Sequence, residues 1–247
     1  MNLNNKKRIT KDIVLYENFL TEEQCTSLIN IIEKQMSSGK LSWTPISFYE
    51  SYSSVLPQDN DEEITEEGLD SDIFSQVRQG IIDAVASVHD LDPKKIVQIG
   101  YHTQKWEPGA FARLHSDNTD EKGNTGPFAR SRYAAFLYLN EDFKGGLLKF
   151  PGQELSIEPK VGMLAAFDGG FNNMHEVSLI TEGVRYTIGS FWDDREESDY
   201  PKEVRDSWEE EMKKIRDQQA VEKEEWQNLL KDGIKIDPDG NQYKVGE

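Results

Sequence analysis

Hydrophobic spacing changes character twice along this chain of 247 residues. Residues 12–17 (DIVLYE) read as a short strand. Thr21-Glu22-Glu23-Gln24 then has the pattern of a capping box, with Thr21 placed to cap and Gln24 to reach back. A helix is predicted from there to about Met36, because Cys25, Leu28, Ile31 and Ile32 repeat at helical spacing. Ser37-Ser38-Gly39 ends it. Residues 43–56 predict one or two strands. A second amphipathic helix is predicted over 71–88, with Ile73, Phe74, Val77, Ile81, Ile82 and Val85 on one face. From Val97 to Trp192 the pattern becomes strand-like, with runs at 97–105, 132–139, 147–150, 163–167 and 184–192. Two helices followed by such a series predict a mainly β fold, an antiparallel sandwich or barrel with flanking helices.

After Trp192 the pattern changes again. Residues 193–211 hold ten acidic side chains, so this stretch is solvated rather than core. A helix over 201–231 is predicted, with Val204, Trp208, Met212, Ile215, Trp226 and Leu229 as its apolar stripe. Asp239-Gly240 predicts a terminal hairpin. The chain therefore divides into an N-terminal support region (1–96), a β core (97–192) and an acidic C-terminal extension (193–247). The extension's helix either buttresses the core in a monomer or forms a dimer contact through Trp208 and Trp226. The acidic stretch 59–72 is either a solvated connection or a lid beside an active site.

Composition narrows the function classes. The formal net charge is −18, which argues against general affinity for nucleic acid or anionic membranes and is compatible with a basic partner. Hydrophobic residues make up 36% and charged residues 30%, the mark of a heavily charged surface around a lean core. Cys25 is the single cysteine, so no disulfide forms within one chain. No signal peptide, membrane span or lipidation motif is visible, and a cytoplasmic location is the default expectation.

The candidate chemistry lies in the β core. Two histidines and a carboxylate commonly hold Fe(II) on one face and leave positions open opposite. His115-Ser116-Asp117 has the spacing at which a strand presents two ligands together. That spacing arises often by chance in an acidic chain, so context must decide. His175, on a later segment, supplies a third candidate ligand. Arg185 follows ten residues on, in a strand otherwise full of apolar and aromatic residues. Either it points outward from an edge, or it points inward and needs an anion. A dicarboxylate would provide one, gripped by the guanidinium fork. Thr187 shares the Arg185 face and could add a hydroxyl bond. His89 and His102 have no partner at ligand spacing and read as structural.

Several segments together resemble the prolyl 4-hydroxylase family of Fe(II)/2-oxoglutarate-dependent oxygenases. They are Val14 to Cys25; Gln104 to Asp117; Arg132 to Phe143; Gly145 to Pro151; Pro159 to Gly162 with Phe167; and His175-Glu176-Val177 with Gly183-Val184-Arg185. The resemblance covers roughly residues 12–192. It implies a double-stranded β-helix, a jelly-roll barrel with supporting helices. It implies Fe(II), 2-oxoglutarate and dioxygen, admits ascorbate as a further cofactor, and gives succinate and carbon dioxide as coproducts. His115, Asp117 and His175 match the metal ligands, and Arg185 matches the residue that holds the far carboxylate of 2-oxoglutarate. Tyr138 matches a position that bonds the same carboxylate, with Ala134, Phe136 and Tyr138 facing inward. Trp106 falls near a tyrosine position beside the cosubstrate, and Tyr101 is an alternative pocket residue. The implied substrate is a prolyl residue in a peptide or protein; a free amino acid or another side chain is the alternative. A non-catalytic scaffold and a cupin-like barrel are the competing classes. The first would tend to lose the triad and Arg185, and the second favours histidine-richer sites.

Overall fold

The computed structural model describes residues 1–39, 41, 43–46, 51–55, 72–120, 122–125 and 128–206, with short stretches between 213 and 244. Its elements run in the order β1 (Lys6–Arg8), β2 (Ile13–Tyr16), α1 (Glu22–Ser37), β3 (Thr44–Ile46), β4 (Ser51–Val55), α2 (Asp72–Ala86), β5 (Val97–Trp106), β6 (Ala112–His115), β7 (Tyr133–Tyr138), β8 (Leu148–Phe150), β9 (Leu155–Ile157), β10 (Leu164–Asp168), β11 (His175–Val177), β12 (Arg185–Asp193), β13 (Ile234–Ile236) and β14 (Gln242–Lys244). The acidic stretch 59–72, read as a solvated connection or a lid, falls on residues outside this description, apart from Asp72 at the start of α2. So do Trp208 and Trp226 of the predicted C-terminal helix, whose described start is helical at 202–206.

The capping box at α1 forms as predicted. The Thr21 hydroxyl accepts from Gln24 N at 3.2 Å and the Gln24 amide oxygen accepts from Thr21 N at 3.0 Å. Such a cap contributes about 1 kcal/mol by satisfying donors that the first turn leaves free. Cys25, Leu28 and Ile32 then bury along one side of the helix, and Val77, Ile81, Ala84 and Val85 do so on α2.

Eight strands form one antiparallel sheet in the order β1-β2-β10-β7-β12-β5-β4-β3, and four form a second in the order β6-β11-β8-β9. Both faces of the central strands of the large sheet are buried, so these strands carry two alternating sets of core residues. Val14, Leu137, Leu164, Ile188 and Trp192 pack with α1 and α2. Their neighbours Ile13, Leu15, Ala134, Tyr138 and Phe167 face the small sheet and meet Ala112, Leu148, Phe150 and Val177 there. The layers are therefore helix, large sheet, small sheet. Among the described residues, hydrogen bonding leaves the two sheets separate rather than joined in a closed barrel.

The start of the C-terminal extension is tied to the end of β12. The fully buried Asp193 carboxylate accepts from Arg130 Nε and Arg195 Nε, each at 3.3 Å, and from the Tyr200 hydroxyl. Three donors compensate a carboxylate that burial alone would make costly. At the far end β13 pairs with β14, Lys235 opposite Tyr243, as the predicted hairpin requires. Among the described residues no helix is long and apolar enough to cross a membrane.

Candidate metal centre

His115 ends β6, His175 opens β11, and the two are directly opposed in the small sheet. Their rings lie 4.3 Å apart between centroids. Asp117 does not sit on the strand with His115, as the two-residue spacing suggested. It lies just beyond β6, where its own N–H donates to Gly169 O at 2.8 Å. Ser116 adds a hydroxyl bond to the same carbonyl at 3.0 Å. The carboxylate is thereby turned to the two imidazoles. Asp117 Oδ1 stands 3.6 Å from His115 Nε2 and 3.8 Å from His175 Nε2. One ligand atom from each of the three residues falls within 4.8 Å of the others.

The tautomers are set by the backbone. His115 Nδ1 faces Arg113 O at 2.7 Å, and His175 Nδ1 faces Asn173 O at 3.1 Å. A ring that donates from Nδ1 to a carbonyl keeps Nε2 as its lone-pair end, the arrangement a metal ligand needs. Burial pushes His175 down to about 4, which keeps it neutral and able to coordinate near neutral pH. At His115 burial pulls the same way, but the neighbouring Asp117 carboxylate outweighs it and the net shift is upward. Phe167 and Phe150 pack on the His175 ring at 4.8 and 5.7 Å between centroids and shield it from water.

Asp117 Oδ2 is buried and has no hydrogen-bond partner. An orphaned carboxylate oxygen beside two imidazole lone-pair ends is costly in isolation and is what a divalent cation would satisfy. The donor set fits Fe(II). Gly169 keeps the approach possible: a Cβ there would lie 2.5 Å from Asp117 Oδ2. Gly169→Ala is therefore expected to displace the carboxylate and to weaken metal affinity at least about 10-fold, the scale seen when a ligand's support is lost. Isothermal titration with Mn(II) checks this.

Arg185 opens β12 and is 1% exposed, facing the space between the sheets. Its guanidinium carbon lies 4.7 Å from the Trp106 ring and 5.1 Å from the Tyr138 ring. These rings favour a cation but do not neutralise it. Among the described residues no acidic side chain pairs with Arg185, and its Nε and Nη1 make no hydrogen bond. Burial lowers its pKa, and Tyr138 works in the opposite direction. A buried guanidinium with free donors fits an anionic ligand.

A family model described as the 2OG-Fe(II) oxygenase superfamily matches residues 101–193, a span that contains all four of these residues. The match is confined to that span, which is less than half of the chain. Human prolyl 3-hydroxylase 2 is 38% identical over 61 residues, 23% of this chain and only 9% of that relative's length. A Pseudomonas putida prolyl-4-hydroxylase superposes with a TM-score of 0.56 at 19% identity, over 75% of this chain and 94% of its own. A Trichoplax adhaerens prolyl hydroxylase, solved with a hypoxia inducible factor peptide fragment, gives 0.56 at 18% identity, over 75% of this chain and 84% of its own. At such identities the superpositions speak for the fold.

Within the matched span the other predicted residues divide by face. Trp106 lies opposite Arg185 in register, and Thr187 lies opposite both Tyr138 and Gln104. All four rings and side chains Trp106, Tyr138, Thr187 and Arg185 sit in the layer between the sheets. Tyr101 does not. It is buried on the other face of β5, in the helix-side cluster with Val77 and Ile81. The reason is alternation: Tyr101 and Trp106 are five positions apart, so one strand cannot point both to the same side. The structure brings a residue into the layer that sequence reading did not weigh. Gln104, 3% exposed, accepts a hydrogen bond from the Thr187 hydroxyl at 3.1 Å. A glutamine two positions from an inward tryptophan was the available signal.

The remaining histidines lie away from the triad. His89 Nε2 is 3.0 Å from Asp12 Oδ1, and its Nδ1 is 3.3 Å from the Tyr133 hydroxyl. That arrangement ties the end of α2 to the large sheet. His102 shares the Gln104 face of β5. A concavity of about 700 Å³ on the outer side of α1, lined by Glu22, Thr26, Asn30 and Lys34 among others, holds none of the triad or of the residues around Arg185.

Proposed function

We propose that this chain is an Fe(II)- and 2-oxoglutarate-dependent dioxygenase that hydroxylates a prolyl residue in a peptide or protein. One observation carries the reading: a convergent His-Asp-His set and a buried arginine without an anionic partner among the described residues share the layer between the two sheets. In this reading His115, Asp117 and His175 hold the iron, and Arg185 grips the far carboxylate of 2-oxoglutarate. Tyr138 and Thr187 border that carboxylate with hydroxyl groups, and Trp106 forms an aromatic wall. When bound, the iron activates dioxygen with 2-oxoglutarate, so that one oxygen atom enters a C–H bond and succinate and carbon dioxide are released. The protein's own task is to orient the diacid and keep water from it. The paired sheets are read as a double-stranded β-helix, with residues 97–192 as its core, 1–96 as support and 193–247 as an appended extension.

The prolyl substrate is proposed because the similar proteins are named as prolyl hydroxylases, one of them solved with a peptide. The net charge of −18 further favours a basic peptide, drawn in by long-range attraction. Ascorbate is assigned the part of an accessory. The test is succinate release from Fe(II), 2-oxoglutarate and oxygen, with and without proline-containing peptides of differing charge. A proline peptide is expected to stimulate release, most strongly when basic and at low salt. Equal release with and without every such peptide would contradict the prolyl assignment, and a flat salt response would remove the preference for basic ones.

A further inference from the structure

We propose that Gln104 is a positioning residue for 2-oxoglutarate, donating its side-chain amide to the diacid between Arg185 and the metal ligands; this rests on the oxygenase reading above. Gln104 is 3% exposed and stands on β5 opposite Thr187 in register. Its Oε1 takes the Thr187 hydroxyl proton at 3.1 Å. With that end fixed, the Nε2 end carries two N–H donors, and among the described residues they make no hydrogen bond. That end of the side chain is not fully buried, so its donors stay open to a ligand that enters the layer between the sheets.

The position of the amide points to the ligand it serves. Arg185, Thr187 and Gly189 alternate onto one face of β12, with Gln104 beside the second and third. Gly189 leaves room for it: a Cβ there would lie 3.0 Å from Gln104 Oε1 and 3.1 Å from the Phe136 ring. From Phe136 the packing runs to Phe167 at 6.1 Å, and from Phe167 to the His175 ring at 4.8 Å. Gln104 thus flanks the course from the guanidinium to the triad. A diacid lying along that course carries oxygens that the arginine and the metal cannot all satisfy. An amide donor held rigid by Thr187 meets one of them in a charge-assisted bond.

The test uses the full chain loaded with Mn(II), which occupies the metal site without turnover. The affinity for 2-oxoglutarate is measured by calorimetry for the wild type, Gln104→Leu, Gln104→Glu and Thr187→Val. Gln104→Leu is expected to weaken 2-oxoglutarate binding roughly 10- to 100-fold, the range for a hydrogen bond to a charged group, with Mn(II) affinity unchanged. Gln104→Glu is expected to lose more, since it sets a carboxylate against an anion. Thr187→Val is expected to weaken binding in the same direction, because it frees the amide to turn and removes the hydroxyl beside the carboxylate. Should Gln104→Leu fail to fold, Gln104→Asn, which draws the amide back by one methylene, carries the same comparison. A folded Gln104 variant that binds 2-oxoglutarate within twofold of the wild type overturns the proposal and turns the amide over to another ligand. A wild type that binds Mn(II) but no 2-oxoglutarate overturns the oxygenase reading itself.

Discussion

Asp117→Ala is expected to abolish iron binding at micromolar concentrations while leaving the metal-free protein folded and no less stable. The two halves have one cause. Asp117 is the only carboxylate in the His115–His175 set, so its removal leaves two neutral imidazoles to hold a divalent ion. Loss of a direct ligand exceeds the 10- to 100-fold effect typical of supporting groups, so affinity is expected to fall by more than about 100-fold. In the metal-free protein the same carboxylate is buried, with Oδ2 unpartnered. Deleting a buried, poorly satisfied charge relieves its desolvation, as happens when functional sites trade stability for activity. Calorimetric metal titration beside thermal melts of the metal-free proteins reads both halves. A variant that melts well below the wild type would mean that Asp117 holds the β6 loop to Gly169 through more than its backbone.

Arg185→Met is expected to weaken 2-oxoglutarate binding by roughly 100-fold, with metal affinity unchanged. Methionine keeps the apolar stem but removes the guanidinium that lies over Trp106 and Tyr138, and with it the charge and the fork. A desolvated, hydrogen-bonded charge pair typically costs about 2–5 kcal/mol when one partner is truncated. Arg185→Lys is expected to fall between the two, since a point charge replaces a planar fork. The measurement is the 2-oxoglutarate dissociation constant of the Mn(II)-loaded protein. An unchanged constant in Arg185→Met would assign the guanidinium to packing between the two rings.

Much of this was legible in the sequence, for identifiable reasons. The long strands β5, β7 and β12 announced themselves because six to ten residues give enough alternation to recognise. The start of α1 was legible because a capping box is local chemistry. The hydrophobic pattern marked none of β6, β9 and β11, of three or four residues; strands at the two histidines were expected only from the ligand chemistry. So few residues show no period, and their pairing is decided by partners far along the chain. The polar β1, Lys6–Arg8, is exposed throughout and owes its strand form to β2 alone. The spacing of His115 and Asp117 pointed to two side chains that do converge, but for an incomplete reason. Their convergence depends on Gly169, whose carbonyl and missing side chain act from a distant turn. Tyr101, the alternative pocket residue, lies an odd number of positions from Trp106 and takes the other face; even spacing from Trp106 selects Gln104.

In the proposed function one ion and one diacid bind in the same layer between the sheets, held by residues from both. Anaerobic titration of the wild-type protein with Fe(II) and then 2-oxoglutarate tests it most directly, followed by visible absorption. A weak metal-to-ligand charge-transfer band that saturates at one equivalent of each, and that is missing in Asp117→Ala, is the result predicted. Fe(II) that binds with no such band at any 2-oxoglutarate concentration would contradict it.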